Sequence, residues 1–282
     1  MSNTAPLAAN LNVGGKRVYA LDMLRGFVMI FIMAGAGYHR AFKAISPDGF
    51  WGFLSDQLEH PAWEGLRFYD LIFPTFIFCI GMSVVYSLDR MVRENGLQTT
   101  YWRIFKRTAL LFFLGVLEDG GMRDIADENV ICGVLQRLAL CYGITSVLYL
   151  NFKRRGLFII FGTIMIGYWI LFTMVPVPGV GVVSMVKYEC WPNWVAQQIP
   201  PYYSADPEDL FSTLTAVCTC LLGVFTVFLI RGQEPKQVLL RLLGFSALCL
   251  VVGYAWWWLH FPVIKRAWTS SYVLVAGGYS LL

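Results

Sequence analysis

Runs of roughly 17–25 apolar residues, long enough to cross a bilayer as helices, recur along this chain between short charged connectors, and no other feature restricts the fold so strongly. With 57% hydrophobic residues, 14% charged residues and a mean hydropathy of +0.58, too few polar groups remain to cover a soluble surface, so the chain reads as a polytopic membrane protein. In hydrocarbon every backbone N–H and C=O must be satisfied within the protein, which selects helices over open strands. The expected fold class is all-α, a transmembrane helical bundle of about 7–8 spans. Complete spans are expected at 20–38, 68–88, 104–118, 131–150, 157–175, 210–230 and 242–260, and a last apolar segment, TSSYVLVAGGYSLL, begins near Thr269. That segment is too short to cross a typical bilayer. It is either re-entrant or the start of a C-terminal part that this chain lacks, and the second reading is adopted.

Basic residues set the expected orientation, because Lys and Arg accumulate in cytoplasmic connectors. With a cytoplasmic N-terminus, Lys16, Arg17, Arg90, Arg93, Arg103, Lys106, Arg107, Lys153, Arg154, Arg155, Arg231, Lys236 and Arg241 fall inside. Arg40, Lys43, Arg67, Arg123, Lys187, Lys265 and Arg266 fall outside, so the bias is roughly two to one. The net charge of +4 therefore reflects topology and gives no reason to expect a nucleic-acid partner. The expected location is the cell (inner) membrane, with the lipid bilayer as the first partner. Asp22 and Arg25 interrupt the first apolar run and no small-residue cleavage site follows it, so a span is preferred to a signal peptide.

Residues 1–19 read as a cytoplasmic N-terminal segment and 20–282 as one transmembrane domain, with no internal repeat or soluble domain. All cysteines except Cys190 lie in expected spans, without disulfide or zinc spacing, and no metal site is expected.

Ionisable side chains inside a membrane helix are costly, which makes each one a candidate for function. Asp22 and Arg25 share one face of the first span. They form either a self-neutralising pair or a contact for an anionic cosubstrate, since Arg offers a two-pronged fork to phosphate or carboxylate. Asp70 and Arg137 lie at similar depths in their spans, so they are expected to pair, directly or through Gln136. Pro74 follows Asp70 by four and removes the helix bond to the Asp70 carbonyl, opening the turn there. His60 stands just ahead of the same span. Its imidazole is neutral and nucleophilic, or able to accept a proton, near physiological pH. An acid such as Glu59, Glu64 or Asp70 can fix its tautomer, and Asp70 is the expected one. His39 and His260 end their spans and are weaker candidates.

Five ordered blocks, RVYALDMLRGF (17–27), LEHPAWEGLRFYDLIFPTFIF (58–78), GVLQRLALCYG (133–143), SADPEDLFSTL (204–214) and KRAWTSSYVL (265–274), resemble the membrane acetyltransferases of the heparan-α-glucosaminide N-acetyltransferase family and their bacterial relatives. The resemblance covers nearly the whole chain. It implies an enzyme that takes an acetyl group from cytoplasmic acetyl-CoA, a cosubstrate, and delivers it to an amino sugar across the membrane. The family's H-x-x-W-x-G block assigns His60 the central catalytic role, either as covalent acetyl carrier or as a base in a ternary complex. Asp70 is taken as its orienter. Gln136 and Arg137 match the family's Q-R pair, and Asp206 and Glu208 match its D-P-E-G block, with Asp209 where glycine is usual. Asp22, Arg25, Trp63 and Lys265 complete the candidate substrate and cosubstrate set. The acceptor is expected to be an amino sugar or glycan, and a second copy of the chain is a further candidate partner. Relatives continue for several helices beyond the S-Y block. Without the resemblance, a secondary transporter fits the spans and intramembrane charges about as well as an enzyme, and a non-catalytic scaffold is a third reading.

Overall fold

The computed structural model describes residues 19–118, 133–198 and 210–282, and every regular element among them is a helix. In chain order these are α1 (Tyr19–Ile45), α2 (Gly49–Gln57), α3 (Phe68–Glu118), α4 (Val134–Asn151), α5 (Arg154–Met174), α6 (Trp191–Gln197), α7 (Leu210–Ile230), α8 (Pro235–Trp258) and α9 (Ser270–Ser280). Five of them, α1, α3, α5, α7 and α8, are long and apolar enough to cross a membrane. On α1, α5 and α8 large apolar side chains such as Met33, Phe27, Ile159, Ile166, Leu240 and Val251 point outward. Apolar outer faces on long helices suit a hydrocarbon solvent, and the molecule is a multi-pass membrane protein.

The structure redraws several expected boundaries. The second and third expected spans fall in two helical stretches of α3 that meet at a kink, where Gly96 adopts φ 77° and ψ 169°. Only glycine takes that conformation without strain, so the bend is written into one residue. α1 runs on past the expected end at residue 38 to Ile45. The connector after it forms α2, whose exposed Phe50, Trp51 and Phe53 suit a helix lying in the membrane interface. α4 is less apolar than its neighbours because it is interior, burying Gln136, Arg137, Thr145, Ser146 and Tyr149. The last apolar segment becomes α9, a helix rising only about 16 Å and buried along almost its whole length.

α3 is the central element, packed on α4 and α7, with α9 wedged between it, α7 and α8. Ile77, Phe78, Val84, Val85 and Leu88 of α3 meet Val217, Leu221 and Val224 of α7 in the main apolar core. The two backbones approach closely at two glycines: a β-carbon on Gly81 would strike the Cys220 carbonyl, and one on Gly223 would strike the Phe78 carbonyl. Small residues permit such contact between membrane helices, where dispersion rather than water exclusion drives association.

Polar clusters mark both ends of the first half of α3. At one end lies Asp70. At the other, about 28 Å away, the buried Asp89 accepts from Tyr149 of α4 at 2.7 Å and pairs with Arg231 at 2.6 Å, tying α3, α4 and the end of α7 together. The α4–α5 and α7–α8 turns gather at this second end, where Arg154 stacks on Phe228.

Gly81→Leu is expected to cost about 1–3 kcal/mol or more through overpacking, read as a lower melting temperature in detergent. Gly26→Ala, with nothing within 4 Å of its added carbon, should leave that temperature unchanged.

Candidate active site

The connector from Leu58 to Arg67 has no regular structure, and several bonds pin it. Gly65 donates its N–H to Val263 O at 3.0 Å, the Trp63 indole donates to Met185 O at 2.7 Å, and the Arg67 N–H donates to Asp70 Oδ2 at 2.9 Å. The last is half of a capping box: Asp70 is the third residue of α3 and its carboxylate reaches back to the residue before the helix. Helix initiation therefore fixes Asp70 where the helix dipole favours a negative charge.

The other oxygen of Asp70 meets His60, with Oδ1 2.6 Å from Nδ1. Lys265 Nζ sits 2.9 Å from His60 Nε2, 3.3 Å from its Nδ1 and 3.9 Å from Asp70 Oδ1, so the ammonium lies against the imidazole and not in line with either nitrogen's lone pair. A carboxylate accepts, so Nδ1–H donates to Asp70 and Nε2 keeps its lone pair. Tyr69 stacks on the imidazole at 4.9 Å between ring centroids. It has room because a side chain on Gly35 of α1 would occupy the space of its ring. Asp70 is fully buried while the His60 side chain is 37% exposed, so the carboxylate is shielded and the imidazole is reachable.

Asp70 also carries the consequence of Pro74. Its carbonyl, deprived of a helix N–H, accepts from the Tyr272 hydroxyl of α9 at 2.7 Å. Thus α9 reads the opened turn of α3 directly. The segment before α9 is buried without being helical, and side chains satisfy its backbone: Tyr168 donates to Ala267 O at 2.6 Å, and Thr269 and Ser271 both donate to Pro262 O at 2.9 Å. This packing carries Lys265 to His60.

The expected Asp70–Arg137 pair does not form. Asp70 is held by His60 and Lys265, whereas Arg137, 4% exposed, donates to Ser212 at 2.8 Å and lies 5.1 Å over the Trp268 ring. Similar depth in two spans does not bring side chains together when one of them is turned aside, as Arg137 is onto the face of Trp268, whose ring meets Phe73 edge-on. Gln136 is buried against Gly115 of α3. Of the remaining candidates, Trp63 spends its N–H on the connector. Asp22 and Arg25 lie near the far end of α1, about 25 Å from His39, which is itself 3.0 Å from the Ser55 hydroxyl of α2. Asp206 and Glu208 lie outside the described residues.

Two cavities flank α3. The smaller, about 210 Å³, is lined by Ile32, His60, Tyr69, Ile72, Phe73, Val134 and Lys265. It falls below the roughly 300–1,000 Å³ of sites that enclose a whole small ligand, so it suits reacting groups. The larger, about 500 Å³, runs beside Ala20–Val28 of α1 toward Thr226, Val238 and Leu282 and also touches Ile72. A third recess of about 540 Å³, between Tyr101 and Leu148, holds none of the candidate residues.

A histidine oriented by a buried carboxylate and facing a small membrane pocket can be placed among known proteins. Residues 17–211 match the family described as heparan-alpha-glucosaminide N-acetyltransferase, catalytic. The chain belongs to this family. The human protein named heparan-alpha-glucosaminide N-acetyltransferase is 24% identical over 349 aligned positions, covering 98% of this chain and 49% of the human one. The mouse protein of the same name is 29% identical over 150 positions, 49% of this chain and 20% of its own. The chain thus spans about half the length of the human relative. The family match contains His60, Asp70, Gln136 and Arg137 and stops short of Lys265, which enters the site through the α8–α9 segment. Sequence reasoning passes over Tyr69 and Tyr272, and the available signals were the adjacency of Tyr69 to Asp70 and the carbonyl that Pro74 leaves open.

Cys190, in the connector before α6, is fully buried and its thiol donates to Asn193 at 3.0 Å. Burial pushes this thiol up to about 11 from 9.0. The raised value favours the neutral form in the fold, so any stability it contributes is complete below pH 9.0 and lost as pH climbs toward about 11. At pH 8 roughly one thiol in a thousand is ionised. Maleimide at that pH should leave the Cys190 peptide unmodified in native protein and label it after denaturation, as read by mass spectrometry.

Proposed function

We propose that this chain is a membrane N-acetyltransferase that moves an acetyl group from acetyl-CoA on the cytoplasmic side to the amine of a glucosamine-type sugar on the opposite side, with His60 at the point of transfer. The observation that carries this reading is the His60–Asp70 contact of 2.6 Å, with the imidazole and Lys265 both on the wall of one small pocket. Family membership supplies the reaction class, and the geometry supplies a group suited to it.

Transfer breaks the thioester C–S bond and forms a C–N bond to the sugar amine. Coenzyme A leaves as the thiol and the amine loses a proton. His60 serves either route. As a base, Nε2 takes the amine's proton, a contribution of typically 10²–10⁴-fold. As a carrier, Nε2 attacks the thioester first and passes the acetyl group on, splitting one hard step into two. Asp70 holds the tautomer in both and stabilises the imidazolium or acyl-imidazolium that forms. The Lys265 ammonium, 2.9 Å from Nε2, lies close enough to stabilise a developing oxyanion.

Topology supports the direction. The start of α1, the Gly96 bend of α3 and the α4–α5 and α7–α8 turns gather at one end with most of the basic residues, and positive charge marks the cytoplasmic side. His60, α2 and the α8–α9 segment occupy the other end. Counting α3 as two crossings and α4 as one gives about seven spans, with the N-terminus cytoplasmic, in the cell (inner) membrane. Arg25, near the start of α1, is a candidate contact for the donor's phosphates.

Purified protein incubated with radiolabelled acetyl-CoA and a panel of amino and hydroxyl sugars should label an amino sugar. His60→Ala should abolish labelling at unchanged protein level, and Asp70→Asn should lower it by about 10²–10⁴-fold. Full activity in His60→Ala overturns the assignment. Label on the protein alone, before acceptor is added, supports the carrier route.

A further inference from the structure

The two cavities along α3 are stacked in register. Tyr69, Ile72 and Thr75 are spaced by three residues and share one helix face. Tyr69 lines the His60 pocket, Thr75 lines the 500 Å³ cavity, and Ile72 lines both. Opposite them on α1, Ile32 belongs to the His60 pocket and Val28, one turn earlier, to the larger cavity. Among the described residues Ile72 is the one side chain common to both linings, and at 4% exposure it is packed in place. Its branched chain forms the partition between a small chamber holding a reactive imidazole and a long apolar one.

We infer that Ile72 selects the length of the transferred acyl group, a role that rests on the acyltransferase reading above. A two-carbon group needs only the space beside His60. Each further methylene needs room that the Ile72 side chain fills, and the nearest such room is the apolar cavity behind it, walled by Leu71, Phe78 and Met82. Ile72→Ala joins the two spaces and opens an apolar slot for a four-carbon chain. Ile72→Val removes one methyl and moves selection the same way by less. Ile72→Phe thickens the partition and moves selection the opposite way, further against chains longer than acetyl.

The test measures two quantities on the purified protein in detergent. The first is transfer to glucosamine from acetyl-CoA, propionyl-CoA and butyryl-CoA. The second, which needs no turnover, is calorimetric binding of the unreactive thioethers S-ethyl-CoA and S-butyl-CoA. Ile72→Ala should raise the butyryl-to-acetyl rate ratio by about tenfold or more, in line with what methylene-sized pocket changes achieve, and tighten S-butyl-CoA relative to S-ethyl-CoA. Ile72→Val should shift both in the same direction by a smaller factor. Wild-type acetyl transfer with both ratios unmoved in folded Ile72→Ala and Ile72→Val overturns the inference and leaves the acyltransferase reading standing. A shifted thioether preference without sugar acetylation by the wild type upholds the partition and overturns that reading instead.

Discussion

A fully buried carboxylate in a membrane protein is tolerated only when its charge is answered from several directions, and Asp70 organises one end of this bundle by that requirement. One oxygen caps α3 through Arg67, and the other meets His60 with Lys265 nearby. Its carbonyl, released by Pro74, accepts from Tyr272. Three separate stretches of chain therefore converge on one residue: the connector carrying His60, the first turn of α3 and the segment leading into α9. Removing any of these contacts leaves a buried polar group without compensation, so the positions of His60 and Lys265 are consequences of satisfying Asp70.

The α8–α9 segment shows how such convergence is sustained. Irregular backbone at membrane depth persists only where protein covers it, and here Phe261, Val263, Ile264, Ala267 and Trp268 are almost completely buried. Hydroxyls of Tyr168, Thr269 and Ser271 supply the bonds that a helix would have made internally, while Ser270 ties the segment to Met165 O of α5. The Trp268 indole donates to Thr219 of α7 at 3.0 Å and its ring face receives Arg137. Arg137 thus supports the site from behind an aromatic layer, outside the pocket that contains His60.

The apolar runs locate the long helices well in sequence, because hydropathy reports a local property that survives folding. The break at Gly96 is less legible, since one glycine at positive φ bends a helix without interrupting its pattern. Pairing of charges is harder still. Depth along a span can be counted from sequence, but rotation about the helix axis and the identity of the facing helix cannot. That is why Arg137 looked like the partner of Asp70 when the nearby cation was Lys265, nearly two hundred residues downstream. The sequence names three acids near His60, and the capping geometry at the start of α3 presents Asp70 to it. Asp89 was hidden for a related reason, because a charge beside a basic connector reads as a solvated helix end until Tyr149 and Arg231 are seen to enclose it.

The two acid clusters at opposite ends of the first half of α3 are built differently. Asp89 binds Arg231 and Tyr149 with both oxygens engaged by side chains that are themselves buried, a closed arrangement that fixes helices. Asp70 engages a histidine that is partly exposed and a lysine that lines a cavity. The two clusters thus differ in whether the partners of the carboxylate border a cavity. Between them the α3 and α7 backbones meet closely at Gly81 and Gly223, which fixes the two helices against each other, while His60 and Lys265 stay on the cavity wall.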